Sequence, residues 1–341
     1  VTCKIVAELS CNHAGLLSNA LKLVEAAAAA GADSIKLQTW TPGSMVVDPH
    51  YVLRDGPWVG RRLAELYEQA QTPLEWHGQL FNHAKGLGLE AFSTVFDLPA
   101  LDFLESIGCP AYKIASFELI DLRLIRNVAA TKKPLIISTG MGIRQEIDDA
   151  VREARGAGAS DLTLLKCTSA YPAAPSQANL STIWHMRQTF GCAVGLSDHT
   201  KGIGVAIAAA GLGASMIEKH LVLENAVTLD REFSLTPNEF AWMVKGCREA
   251  EQSFGEPIYG PHELEKPQLA LRRSIYFAKD LEAGALITRD AITTARPANG
   301  LAPRYFDRLV GRRLTQDVKR GMPASWDLVE IKTLEAQLSH G

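Results

Sequence analysis

The chain has 341 residues, 47% hydrophobic and 21% charged, an ordinary composition for a globular protein with one large domain and a small one. Its formal net charge of −3 leaves no basic footprint for nucleic acid, and no apolar run reaches the roughly 18 residues of a membrane span. The six cysteines are scattered without a CxxC pair and read as reduced thiols of a cytoplasmic protein, while 1–9 reads as a strand and not as a secretory leader.

In chain order, β-rich runs are predicted at 4–9, 34–39, 90–95, 111–116, 135–140, 162–169, 193–199 and 215–223. Helical periodicity fills the intervals, in "LSNALKLVEAAAAAG", "LDFLESIG", "LRLIRNVAATK", "QEIDDAVREARGAG", "LSTIWHMRQTFG" and "GIGVAIAAAGLGA". Strands alternating with helices imply a parallel sheet, and eight units over about 250 residues fit a (β/α)8 barrel. The rival open sheet lacks its glycine-rich turn, because the first strand runs into "LSCNHAG". A long insertion follows the second strand. It is extended through Pro42, Pro49, Gly56, Pro57 and Trp58, then helical in "RRLAELYEQA" and "PLEWHGQLFNHAKGLG", and such loops on barrels are lids or specificity elements.

The barrel is expected over 1–255, a Pro/Gly-bearing linker over 256–270 and a small domain over 271–335. In the small domain "KDLEAGALITRDAI" and "QDVKRGMPASWDLV" repeat one pattern, with Asp280 matching Asp317, Gly284 matching Gly321 and Asp290 matching Asp327. Two copies imply a compact, pseudo-symmetric unit with a small core.

Barrel active sites lie at the C-terminal strand ends. Taken in order, these ends carry Glu8; Lys36 and Gln38; Ser93 and Thr94; Lys113, Ser116 and Glu118; Ser138; Lys166, Ser169 and Tyr171; Ser197 and His199; Glu218 and His220. One strand-end serine is usually a cap and one lysine is usually solvated. Charge converging from all eight strands is costly to bury without a charged ligand. Lysines among hydroxyls suit a phosphate plus a carboxylate. His199 and His220, on neighbouring strands with coordination positions left over, suit a loosely held divalent cation that also takes water and substrate oxygen: Mn²⁺ or Mg²⁺, with Co²⁺ as a further option. Asp198 and Glu218 either support these ligands or pair with lysines.

The runs "AELSCNH", "GADSIKLQT", "FSTVFD", "PAYKIASFE", "PLIISTGM", "LLKCTSAYP", "VGLSDHT", "MIEKH" and "ARPANG" resemble the sialic acid synthase family over nearly the whole chain. That resemblance implies a (β/α)8 barrel followed by an antifreeze-like (SAF) β-clip domain. "KLQTWTP", "YKIASFE", "KCTSAYPA" and the tryptophan-bearing insertion are more similar to the pseudaminic acid branch than to the N-acetylneuraminate branch. The implied reaction condenses phosphoenolpyruvate with 2,4-diacetamido-2,4,6-trideoxy-L-altrose and water, releasing phosphate by C–O cleavage.

Carried onto matching positions, His199 and His220 would bind the metal, and Lys36, Thr94, Lys113, Ser116, Ser138, Ser169 and Ser197 would hold phosphoenolpyruvate. Glu8, Gln38, Glu118, Tyr171 and Asp230 would meet the sugar or shuttle protons, with Glu118 as the general acid/base. Arg296 matches an arginine that reaches into the other chain's active site in a domain-swapped homodimer. The chain departs from the family pattern at Val95, where proline is usual, at Cys11, and in the shorter "TLD" loop that ends at Asp230. The alternatives are the same condensation leading to N-acetylneuraminate or legionaminate, a metal-dependent aldolase or hydrolase, and a carbohydrate-binding protein.

Overall fold

Short strands buried on both faces, with no edge to spare, satisfy their backbone groups by closing on themselves. In the computed structural model, which describes residues 2–56 and 58–330, they do so. Pro57 of the insertion and 331–335 of the expected small domain lie outside the described residues. The strands β1 (Lys4–Glu8), β2 (Ser34–Thr39), β3 (Glu90–Val95), β4 (Tyr112–Ile114), β5 (Leu135–Ser138), β6 (Leu162–Cys167), β7 (Ala193–Asp198) and β8 (Met216–His220) form a closed barrel in sequence order. Neighbours pair in parallel all the way round, and β8 returns to β1 with Glu8 opposite His220.

Several strands stop short of the sequence expectation. β4 ends at Ile114, because Ser116–Glu118 coils into a single 3-10 turn, and β6 and β8 end at Cys167 and His220. At the mouth each chain leaves the ladder as its side chains turn polar.

The helices are α1 (Leu17–Ala29), α2 (Pro42–Met45), α3 (Leu63–Ala70), α4 (Leu74–Gly86), α5 (Leu98–Ser106), α6 (Leu122–Ala130), α7 (Arg144–Gly156), α8 (Ser181–Phe190), α9 (Gly204–Gly211) and α10 (Pro237–Phe254). Each barrel helix turns one stripe inward: α7 buries Ile147, Ala150, Val151 and Ala154, the i, i+3, i+4, i+7 pattern of a single face. Asp97 and Asp121 cap α5 and α6 by accepting from Ala100 N at 2.7 Å and Leu124 N at 2.9 Å. One barrel helix lies outside the sequence expectations. It is α10, although Thr236 and Glu239 make a capping box with proline at the first turn.

The insertion is more ordered than the extended loop predicted for its first half. Val52 pairs antiparallel with Arg62, Leu53 N donates to Arg61 O at 3.0 Å, and Gly60 N donates to Leu53 O at 2.9 Å, so the segment is a short two-stranded arm. Among the described residues no helix is long and apolar enough to cross a membrane. All six cysteines are free thiols.

The chain divides into two compact units, Val1–Gly255 and Glu256–Gly341. In the second, the repeat is a pseudo-twofold written in hydrogen bonds. Asp280 Oδ1 accepts from Arg320 N at 2.8 Å, and its repeat mate Asp317 accepts from Ala283 N at the same distance. Leu281 and Val318 exchange backbone bonds of 3.0 and 2.9 Å on the pseudo-axis. The matched glycines, Gly284 and Gly321, take φ of 81° and 85°, a turn conformation that other residues resist. The core of this unit is small: Ile275, Phe277, Ile287, Ile292, Leu309, Leu314, Val318 and Leu328 are its main members. Arg296 directly follows the strand β10 (Ile292–Ala295), which pairs antiparallel with β9 (Ser274–Phe277), and its side chain is exposed.

Candidate active site

The floor of the barrel mouth is a buried ionic cluster. Lys36 Nζ forms an ion pair with Glu8, donates to Thr94 Oγ1 at 2.8 Å and lies 3.9 Å from Glu218 Oε1. Lys113 Nζ is 3.4 Å from Glu218 Oε2, and Ser197 Oγ donates to Glu218 Oε1 at 3.0 Å. These side chains come from β1, β2, β3, β4, β7 and β8, and all are buried. Burial pushes the Glu218 carboxyl up, but Lys113 and Lys36 more than reverse this and leave it at about 2. The two lysines differ. Burial lowers both, yet Glu218 and Glu8 restore Lys36 to above its usual value, whereas Lys113 stays below. Among the described residues Lys113 has one carboxylate within 4 Å, Glu218, where Lys36 has two, so Lys113 is the under-neutralised cation beside which an added anion fits.

Alternation along the strands sends other expected residues elsewhere. Lys219 Nζ donates to Asp198 Oδ2 at 2.9 Å and to the Thr200 carbonyl, so Asp198 pairs with a lysine away from the cluster. Lys166 points the opposite way from Cys167. Its Nζ donates to Thr168 Oγ1 at 2.6 Å and to Gln177 O at 3.3 Å, and it lines a cavity of about 400 Å³ with Cys167, Arg144 and His185. Ser93 Oγ, expected at the mouth, instead lies 2.6 Å from Thr39 Oγ1, which is bonded to His77 of α4. A strand-end position alone does not put a side chain in the mouth.

Beside the cluster three loops converge on Gly140. Its N donates to Ser116 Oγ at 3.0 Å. A Cβ on Gly140 would stand 2.8 Å from that oxygen and collide with Ser169 Oγ. The missing side chain therefore lets hydroxyls from the β4, β5 and β6 loops meet. Ser138 Oγ, buried among them, has no hydrogen-bond partner. This is a cradle of donors, and its Ser116 hydroxyl and Lys113 both act on the Cys167 thiol.

His199 and His220 face each other with ring centroids 5.4 Å apart. His199 Nδ1 lies 3.0 Å from Thr168 O, which can only accept, so Nδ1 carries a proton and Nε2 is the nitrogen with a lone pair whenever the ring is neutral. His220 Nδ1 lies 3.4 Å from Asp230 Oδ2, a carboxylate that also accepts from Ser10 Oγ at 2.6 Å. Burial would raise Asp230; its interaction with the nearby His220 imidazole, together with the Ser10 hydrogen bond, holds it below the usual carboxylate range. The His199 imidazole is oriented from behind by a hydrogen bond, whereas His220 has only the nearby Asp230 carboxylate behind it. Asp230 is thus turned toward His220 and Ser10, a supporting position. Its altered "TLD" loop is pinned by Thr228 Oγ1 donating to Asn12 Oδ1 at 2.6 Å. Ser10 itself takes φ 41°, a strained left-handed conformation at the lip of the site. Among the described residues no group of three or more His, Cys, Asp and Glu could hold a metal, so the histidine pair offers only two ligands.

Glu118 closes the turn after β4. Burial raises its carboxyl to about 7, and Oε2 has no hydrogen-bond partner. Gln38 lies two residues past Lys36 on the same strand, half-buried. Tyr171, after β6, lies with its ring centroid 4.5 Å from that of His199, tilted by 51°.

Several neighbours have no counterpart among the sequence candidates. Phe233 lies 4.9 Å from His220, Trp58 of the insertion lies 6.1 Å from Tyr171, and Cys167 Sγ lies 3.7 Å from His199 Nδ1. Cys167 carried a signal in its inward parity on β6, and Trp58 in the long insertion read as a lid or specificity element; Phe233 carried none. Arg296 belongs to the other unit.

Comparison with known proteins bears on this site as a whole. The NeuB family profile matches residues 23–259 and the SAF domain profile matches residues 272–330. A pseudaminic acid synthase of Helicobacter pylori is 42% identical over 334 residues, covering 96% of this chain and 98% of its own. An N,N'-diacetyllegionaminic acid synthase of Legionella pneumophila is 37% identical over 340 residues, covering 97% and 95%. Among solved structures, an N-acetylneuraminic acid synthetase from Leptospira borgpetersenii aligns with a TM-score of 0.70 at 29% identity, covering 79% of this chain and 90% of that one.

Proposed function

The chain belongs to the NeuB family, and from that premise we propose that it condenses phosphoenolpyruvate with 2,4-diacetamido-2,4,6-trideoxy-L-altrose and water, giving pseudaminic acid and phosphate. The observation that carries this reading is the convergence on Cys167 of Lys113, the Ser116 hydroxyl of the Gly140 cradle and His199 of the imidazole pair. The choice of sugar is supported by relatives named pseudaminic acid synthase at 42% and 40% identity.

In this mechanism Lys36 and Lys113 balance the charge of phosphoenolpyruvate, and Ser116, Ser138, Ser169 and Ser197 orient its oxygens. Its C3 forms a bond to the sugar aldehyde carbon. Water adds at C2, and the C2–O bond to phosphate breaks. His199 and His220 fit a divalent cation through two free ring nitrogens, and such an ion would supply Lewis acidity at the aldehyde oxygen. Glu118 takes the proton of the attacking water, and a carboxyl near 7 suits that task. Arg296, exposed in its own unit, would serve the sugar of a second copy in a homodimer.

The test is phosphate release from phosphoenolpyruvate with Mn²⁺, before and after chelation, offering three sugars separately. These are the trideoxy-L-altrose, the diacetamido precursor of legionaminate and N-acetylmannosamine. Release with the altrose alone is expected; release with another sugar instead would overturn the substrate choice. Gly140→Ala is expected to raise KM for phosphoenolpyruvate about 10-fold or more while the barrel stays folded, because the added methyl separates Ser116 from Ser169. An unchanged KM would remove the cradle from the binding site.

A further inference from the structure

The insertion reaches the barrel mouth. It leaves after β2, and its Trp58 ring meets Tyr171, which follows β6. In a closed eight-stranded ring β2 and β6 are diametrically opposed, so the contact joins loops that start on opposite sides of the opening. The rings then run outward in series: the His199 imidazole, Tyr171 4.5 Å from it, and Trp58 6.1 Å beyond. Phe233 closes the inner side, 5.1 Å from Tyr171 and 5.8 Å from His199. Around Trp58 the arm is exposed, with Tyr51, Val52 and Val59 open to solvent, so the arm has no core to fill. Its backbone is nevertheless tied by its own ladder, which limits the positions open to the Trp58 ring before any ligand arrives.

We propose that Trp58 is a specificity-determining residue of this site, forming with Tyr171 and Phe233 an apolar wall for the end of the sugar that lies furthest from the aldehyde. The inference rests on the functional reading above. With the aldehyde carbon beside the imidazoles, the rest of an open-chain sugar extends past Tyr171 toward Trp58. In a 2,4-diacetamido-2,4,6-trideoxy sugar that end carries a methyl group in place of a hydroxyl, together with an acetamido methyl. Aromatic faces receive methyl groups well and cannot replace the hydrogen bonds that a 6-hydroxyl would give up to approach them. The wall therefore selects for deoxygenated, acylated sugars.

The experiment is steady-state kinetics of the full chain and its W58A and W58F variants. W58A is expected to raise KM for the trideoxy-L-altrose about 10- to 100-fold, the range of aromatic-stacking and methyl contacts. KM for phosphoenolpyruvate should stay within about 2-fold, W58F should recover most of the loss, and N-acetylmannosamine should compete no worse against W58A than against the wild type. An unchanged sugar KM in W58A, or an equal rise in the KM for phosphoenolpyruvate, overturns the inference alone. A wild-type chain that turns over none of the acylamino sugars overturns the functional reading and this inference together.

Discussion

Glu118→Gln is expected to lower kcat by about 10²- to 10⁴-fold, the range for losing a positioned acid/base group, with the barrel intact. The amide keeps the shape of the carboxyl but can neither accept nor return a proton. The pH profile separates this role from a packing defect. Burial raises the Glu118 carboxyl from 4.5 to about 7, so as a base toward water it gains activity as pH rises through about 7. That limb should vanish in the Gln variant. Stability moves the other way. Between 4.5 and 7 the folded chain holds a proton that the unfolded chain has released, so folding weakens as pH rises across that window. The Gln variant has no charge to bury, so it should melt higher than the wild type at pH 8 and at a similar temperature at pH 4. A limb near 7 that survives the substitution would assign the proton transfer to another group.

Withdrawal of divalent ions by EDTA should lower kcat by about 10²- to 10⁴-fold, as expected for the several kcal/mol of Lewis-acid stabilisation at a polarised oxygen. His199→Ala and His220→Ala should each abolish stoichiometric Mn²⁺ binding measured by calorimetry. With only two protein ligands, neither imidazole alone retains the ion. Asp230→Asn is the more discriminating variant. Its amide no longer holds the His220 imidazole by charge, and Mn²⁺ affinity should drop about 10- to 100-fold while saturating Mn²⁺ restores most of kcat. If high Mn²⁺ gives no recovery, Asp230 acts on the sugar directly, the role the family resemblance implies. If chelation has no effect, the histidine pair has another task.

Much of this protein was legible from local pattern. Apolar runs spaced by amphipathic helices dictate strands and helices through backbone geometry alone, and eight such units leave few closed solutions, so the barrel followed from periodicity. The repeat around Asp280 and Asp317 likewise announced a pseudo-symmetric unit, because each aspartate needs a turn amide and each glycine a left-handed turn. The converging residues at the mouth were visible as polar breaks in apolar strands. α10 was not, since its signal lies in a capping box and not in a clean apolar stripe.

The three-dimensional arrangement decided everything that depends on which face a side chain takes and which strand lies across from it. Lys36 and Lys113 turn into the ring while Lys166 and Lys219 turn out of it, a difference of parity that composition cannot express. Asp230 went behind His220 because the loop carrying it is tied to Asn12, 216 residues earlier in the chain. Trp58 reached Tyr171 only because closure sets β2 opposite β6. Local sequence determines elements through short-range sterics and hydrogen bonding. Partners brought together by closing the barrel belong to the tertiary fold, because the free energy of each contact exists only once distant strands share one mouth.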